Sequence, residues 1–224
     1  MAASTPTADP TIRFATEEGK YSFPTSIPHS NLPDELPPAD VPTILALIHE
    51  LAAYEKASSS VLATSATLLS TLSFPSNPNK GYAKTLLIYP PPSSPENEQE
   101  TQAPCAGMAL YYPSYSTWRA APGIFLEDLF IRPEFRGRGY GTRLLRRLAV
   151  ETKKMGGGRL EWSVLKWNEP SLRFYEGVGI GAVRLEEWVG MRVEGKRLGR
   201  LAGEGGEVGG EVGRKVWMEE EEGV

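Results

Sequence analysis

Apolar positions recur along this 224-residue chain with two different periods. Ile44, Leu45, Leu47, Ile48, Leu51 and Ala52 follow the spacing of a helix with one apolar face. Asp40 precedes them as a candidate cap, and Pro42 fits a first turn. Residues 64–72 read as a second, shorter helix. A third carries Leu144, Leu145, Leu148 and Ala149 on one face and Arg143, Arg146, Arg147 and Lys153 elsewhere, and Gly156-Gly157-Gly158 ends it. A fourth spans 170–178 and stops at Gly179. Strand candidates occupy 11–16, 85–89, 106–112, 124–131, 160–165, 182–185 and 188–193. Strands interleaved with helices predict a mixed α/β domain.

Three stretches fall outside this pattern. Residues 17–39 and 90–104 are polar and Pro-rich without periodicity, so they read as loop insertions. Residues 195–224 are dominated by Gly, Glu, Arg and Lys and read as a mobile tail, with Trp217 as a local anchor. The expected organisation is a flexible 1–10, a folded domain over 11–194 and this tail.

The most informative stretch runs from the apolar strand Phe125 to Ile131 into Arg136-Gly137-Arg138-Gly139-Tyr140-Gly141-Thr142 and the third helix. Glycines permit a sharp turn and close approach of a ligand to the backbone. Successive N–H groups backed by a helix N-terminus form an anion site. The P-loop lysine is absent, and the Gly-x-Gly-x-Gly spacing is not that of a dinucleotide fold. A phosphate-bearing cofactor remains, beside the plainer reading of a glycine turn before a surface helix.

Two acids, Glu127 and Asp128, interrupt the apolar strand. Alternation sends them to opposite faces unless a bulge intervenes. Carboxylates in such a strand are either paired with cations or functional, and both readings stand. Farther on, Trp167-Asn168-Glu169-Pro170-Ser171 leads into Phe174-Tyr175. Asn168 reads as a helix cap or as a partner for a cofactor's amide arm, and Tyr175 as a packing residue or a proton donor.

Net charge is −4, which does not point to nucleic acid. The single cysteine, Cys105, excludes an internal disulfide framework and has no histidine nearby in sequence to activate it. His29 and His49 lack ligand-like spacing, so no metal is expected. Neither a leader pattern nor a membrane-length apolar run appears. The expectation is a cytoplasmic protein without membrane partners.

Taken together, Arg136-x-x-Gly139-x-Gly141, Leu126-Glu127-Asp128-Leu129-Phe130 and Asn168-Glu169-Pro170-Ser171-x-x-Phe174-Tyr175 resemble, in this order, the GCN5-related N-acetyltransferases (GNAT). Within them the resemblance is to the diamine (spermidine/spermine) and thialysine acetyltransferases. It extends to Leu47 through Tyr54 and Glu55, and to Ala109 through Tyr112 with Trp118, covering roughly 40–194 and the strand at 11–16. It implies a GNAT fold: a mixed sheet of about six to seven strands, splayed at the cofactor site, with about four helices. It implies acetyl-coenzyme A, with pyrophosphate on Arg136, Gly137, Arg138, Gly139, Tyr140, Gly141 and Thr142. Leu129, Phe130 and Ile131 would run beside the pantetheine arm, with the Leu129 N–H toward the thioester oxygen. Asn168 and Ser171 would flank the cofactor.

By the same resemblance Tyr175 would protonate the departing thiolate, a phenol near ~10 being matched to a thiol near ~8.5. Glu127 would take the amine's proton through water. Tyr54, Glu55, Trp118, Glu127 and Asp128 would hold the amine, with Glu187 and Trp188 as outlying candidates. A homodimer is implied too. Two departures favour a smaller, lysine-like amine over a long polycation: Tyr115-Ser116-Thr117 and Lys166 stand where the polyamine enzymes carry acids. The alternatives are acetylation of a protein or peptide, and a coenzyme A-binding regulatory module without turnover.

Overall fold

The computed structural model describes residues 9–17, 40–91 and 104–204. The expectations for 1–8, for most of the 17–39 and 90–104 insertions and for Trp217 fall outside these. Two compact units divide the chain at Ala182/Val183.

The first unit is built on a five-stranded sheet in the order β1-β2-β3-β4-β5. The strands are β1 (Thr11–Phe14), β2 (Lys84–Tyr89), β3 (Gly107–Ser116), β4 (Ala121–Ile131) and β5 (Leu160–Trp162). β1 to β4 pair antiparallel and β5 joins β4 in parallel, giving a mixed sheet. Helices α1 (Asp40–Tyr54) and α2 (Ser65–Thr71) cover one face, where Ile44, Leu47 and Leu68 pack with Leu87, Met108, Leu110 and Phe130. Helix α3 (Tyr140–Lys154) covers the other, burying Leu144, Leu145 and Leu148 against Leu86, Ile88, Ala109, Ile124 and Leu126. Full burial of each such leucine contributes about 1.5–3 kcal/mol, so the apolar stripe of α3 alone holds it on the sheet. Helix α4 (Glu169–Glu176) follows β5.

The second unit contains α5 (Gly195–Leu201), so the start of the expected mobile tail is helical. The strands expected at 182–185 and 188–193 do not form. Their apolar residues stand in solvent, with Val189 81% and Met191 91% exposed, and a strand without a ladder partner has nothing to stabilise it. β5 is likewise three residues long, shorter than the expected 160–165. Ala149 is exposed; the buried face of α3 is completed by Tyr140 and Thr152 instead.

α1 is held at both ends by ion pairs. At its start Asp40 does not act as the expected cap. Its carboxylate receives Arg13 Nη1 and Nη2 at 2.6 and 2.8 Å and the Thr16 backbone N–H at 2.7 Å, joining α1 to β1. Burial raises the Asp40 pKa, but the Arg13 and Thr16 hydrogen bonds and the Arg13 charge outweigh it and leave the group below its ordinary value. Nearer its end, Glu50 receives Arg132 Nε and Nη2 at 2.9 and 2.7 Å, and Arg132 Nη1 donates to the Cys105 carbonyl at 2.8 Å.

Removing one partner of a largely buried pair costs about 3–5 kcal/mol, because the other charge is left uncompensated. Asp40→Asn is therefore expected to lower unfolding free energy by about 3 kcal/mol at pH 7, read by urea denaturation. A depressed folded pKa stabilises above the unfolded value and loses that contribution as pH falls through the folded one. The gap between wild type and variant should accordingly close below about pH 4. A difference under about 1 kcal/mol at pH 7 would show that the pair does not hold α1.

Candidate active site

β4 departs from regular pairing at one residue. Leu110 lies opposite Asp128 and Tyr111 opposite Leu126, so Glu127 is an extra residue with no counterpart on β3. The alternation of faces reverses across it. Ile124 and Leu126 point to the α3 face, but so do Leu129 and Ile131. Glu127 therefore shares the face of Phe125, and Asp128 shares that of Phe130, which is the α1 face. The bulge, and not simple alternation, decides the direction of the two acids: both point the same way.

The electrostatics agree with this placement. Burial pushes the Asp128 carboxyl up to about 6, and the charges of Glu127 and Glu55 add to the shift. Glu55, just past α1, is itself raised by burial. The Tyr112 hydroxyl is raised by burial and then by Glu127. Glu55, Glu127 and Asp128 thus form one negative surface beside β4.

β5 pairs with β4 only at Ile124, Phe125 and Leu126. Beyond Leu126 no described strand covers this edge, and the sheet is splayed. The Arg132 N–H donates to the carbonyl of Ala106, just before β3, which sets the direction of the alternating N–H groups. Those of Leu129 and Ile131 then point into the gap. The Phe130 side chain is buried in the α1-side core, so only its backbone can face a ligand.

The glycine loop closes one end of the gap. Gly137 and Gly139 both have φ of +75°, and nothing lies within 4 Å of where a Cβ would stand at either. Open space above left-handed glycines at the N-terminus of the 15-residue α3 is the cradle an anion needs. Gly141 is required for a different reason: a Cβ there would meet Phe174 Cζ at 3.1 Å. Tyr140 is buried and packs near Phe135, so it too offers backbone only. Arg136 Nε donates to the Ile131 carbonyl at 2.9 Å, and Arg138 Nη2 to the Glu134 carbonyl at 3.1 Å. These residues fit a pyrophosphate carried on an extended amide arm.

The far wall comes from α4. Asn168 caps it, its Oδ1 accepting the Ser171 N–H at 3.3 Å and the Tyr54 hydroxyl at 3.1 Å. Tyr175 packs near Trp162, with ring centroids 4.9 Å apart. Burial, then the Glu55 charge, pushes its hydroxyl up to about 12. The expected match between phenol and thiol is therefore wider, but the phenol stays protonated at any working pH, as a donor must.

Trp118 is not brought to this site. It is 90% exposed in the turn between β3 and β4, about 20 Å along the hairpin from Asp128 at ~3.3 Å per residue. Glu187 and Trp188 belong to the second unit. Three contacts had no sequence signal, because their partners are distant in the chain: Arg132 with Glu50, the Arg136 guanidinium 5.1 Å from the Tyr54 ring, and Lys56 Nζ 5.8 Å from the Trp167 ring. The buried Cys105 thiol, raised by burial, donates to the Gly107 carbonyl and is no nucleophile.

A splayed mixed sheet, with a glycine loop at a helix N-terminus on one side of the gap and a tyrosine-bearing helix on the other, defines an acyl-transferring α/β domain. The chain belongs to the acetyltransferase (GNAT) family, whose model matches residues 95–180, and is an acyltransferase of that family. It is 34% identical over 192 residues to an L-ornithine N5-acetyltransferase, NATA1, of Arabidopsis thaliana, covering 72% of this chain and 83% of that protein. It is 35% identical over 170 residues to a thialysine N-epsilon-acetyltransferase of Bos taurus, covering 73% and 92%. Solved structures with the same fold include an integron cassette protein from the mobile metagenome of V. cholerae. That match has a TM-score of 0.58 and 21% identity, and covers 86% of this chain and 97% of that one. Another is an aminoglycoside acetyltransferase from a soil metagenome, with TM-score 0.55 and 13% identity over 83% and 95%.

The raised Asp128 pKa has a stability consequence. A native carboxyl that holds its proton more tightly than the unfolded chain makes stability fall as pH rises from about 4 to about 6. A shift of this size corresponds to about 3 kcal/mol at most. Asp128→Asn should therefore be more stable than wild type above pH 6, by on the order of 2 kcal/mol, and equal to it below pH 4. Thermal melts across pH check this, and a variant less stable at pH 7 would show that Asp128 is a paired structural acid.

Proposed function

We propose that this chain transfers acetyl from acetyl-coenzyme A to the primary amine of a small cation, by direct attack and without an acyl-enzyme. The observation that carries the reading is the bulge at Glu127, which sets two carboxylates on one face beside a gap that the glycine loop and α4 flank. The named activities of the ornithine and thialysine relatives support a small diamino acid as acceptor. So do Lys166 and the Tyr115-Ser116-Thr117 stretch, which dilute the negative charge a long polyamine needs.

Bound acetyl-coenzyme A supplies the acetyl group as an activated thioester. Backbone N–H groups of Gly137 to Thr142 hold its pyrophosphate, assisted by the positive end of α3. Leu129 and Ile131 pair with the amide arm as an added strand would, and the Leu129 N–H offers a hydrogen bond to the carbonyl under attack. Asn168 and Ser171 line the opposite side. An amine near pKa ~10 arrives protonated, and its charge is met by Glu55 and Asp128, with the Tyr54 ring beside them. Glu127, exposed to water, takes the proton through a water molecule. Tyr175 delivers its hydroxyl proton to the departing sulfur. The high pKa of Asp128 keeps a proton acceptor nearer neutral pH than an ordinary carboxylate would. A homodimer accords with the run of exposed apolar side chains Val183, Trp188, Val189 and Met191.

Acetyl-coenzyme A turnover should be screened over ornithine, lysine, thialysine, diamines, polyamines and short peptides. The expected result is highest kcat/KM for a small diamino acid. Preference for peptides would move the assignment to a protein acetyltransferase, and silence throughout, with coenzyme A still bound, to a regulatory module. In Tyr175→Phe, kcat should fall by about 100-fold or more while the Kd for coenzyme A stays within about twofold. Equal loss of both would make Tyr175 a packing residue.

A further inference from the structure

Tyr54, the last residue of α1, touches both walls of the gap between β4 and β5. On the glycine-loop side its ring lies 5.1 Å from the Arg136 guanidinium, which also sits 5.7 Å from the Phe130 ring and is tied to the Ile131 carbonyl. On the α4 side its hydroxyl donates to Asn168 Oδ1 at 3.1 Å, and its ring approaches Trp167 at 6.3 Å between centroids. Asn168 is only 5% exposed, so its carboxamide has few ways to satisfy itself. Both observed bonds, from Tyr54 and from the Ser171 N–H, fall on Oδ1. The Ser171 N–H can only donate, so it fixes the sense of the amide; the Tyr54 hydroxyl reinforces it, and among the described residues the NH2 has no partner and is the donating end left over.

We infer that Tyr54 is a positioning residue for acetyl-coenzyme A: its hydroxyl locks the Asn168 carboxamide with the NH2 presented to a carbonyl of the amide arm, and its ring steadies Arg136 behind the glycine loop. This rests on the acetyl-coenzyme A reading above and gives Tyr54 a task separate from amine binding. The chemistry suits the span. A carboxamide in a splayed sheet can turn either end toward the ligand, and the wrong end would set an acceptor against an acceptor. The Ser171 N–H, which can only donate, selects the end, and the hydroxyl from a helix anchored by Glu50 and Arg132 adds the second bond that holds it there. Sequence separation hides the arrangement, since Tyr54 and Asn168 lie 114 positions apart.

The test is a double-mutant cycle read by calorimetric titration with coenzyme A. Tyr54→Phe keeps the ring and loses the hydroxyl. Asn168→Ser keeps a cap oxygen for α4 and loses the carboxamide. Each single variant should weaken coenzyme A about five- to twentyfold while the thermal midpoint falls by only a few degrees, and the double variant should be no weaker than Asn168→Ser within about twofold. In turnover, Tyr54→Phe should raise KM for acetyl-coenzyme A by a similar factor and leave KM for the best amine within twofold. Losses that multiply in the double variant, a Tyr54→Phe affinity equal to wild type, or a rise confined to the amine KM would each overturn the inference. A wild-type protein that fails to bind coenzyme A would instead overturn the acetyl-coenzyme A reading, and this inference with it.

Discussion

One extra residue in one strand organises this molecule. Glu127 has no counterpart on β3, so the pleat of β4 reverses there and two carboxylates that should face opposite ways face together. The bulge also lies where β5 leaves β4, whose shared ladder ends at Leu126 and Trp162. Past that point the two strands cannot remain paired, and the N–H groups of Leu129 and Ile131 have a gap in front of them. A gap and a cluster of acids are therefore two results of one irregularity, one at the edge of β4 and the other on its α1 face. Bulges accentuate local twist, and their frequency beside catalytic sites follows from this re-aiming of side chains.

The gap requires rigid walls, and polar anchors supply what the short strands do not. Arg13 with Asp40 and Arg132 with Glu50 hold α1 against β1 and the end of β4. That leaves its last turn, with Tyr54 and then Glu55, standing over the slot. Apolar burial does the same for α3, whose Leu144 and Leu148 are fully buried, so the glycine loop begins from a fixed helix end. The acids are then held in a place that costs stability. Asp128 is kept half-buried beside two other carboxylates, and its raised pKa measures that cost.

Much of this was legible in the chain. The helical periods around Ile44 and Leu144 located α1 and α3, and the apolar runs around Leu86 and Leu129 located the inner strands. The glycines Gly137, Gly139 and Gly141 located a sharp turn before α3, and Gly137 and Gly139 do adopt left-handed φ there. What failed failed for a reason. Residues 182–185 and 188–193 carry the composition of strands, but a strand is stable only against a neighbour, and composition does not say whether one is present. Asp40 had the local context of a cap, yet a distant guanidinium took its carboxylate. Trp118 belongs to the same stretch of resemblance as the acids, and the hairpin carries it far from them.

The sequence by itself determined the helices α1 and α3, the inner strands of the sheet, the glycine turn before α3 and the kinds of side chain available for acid–base work. These depend on interactions within a few residues, where spacing is geometry. Tertiary structure alone decided that Glu127 and Asp128 share a face, that Glu55 lies near enough to raise Asp128 and Tyr175 together, and that Tyr54 meets Arg136 and Asn168. Each of those is set by strand register or by contacts across long stretches of chain, and a one-residue change of register leaves the local pattern intact while reversing every side chain beyond it.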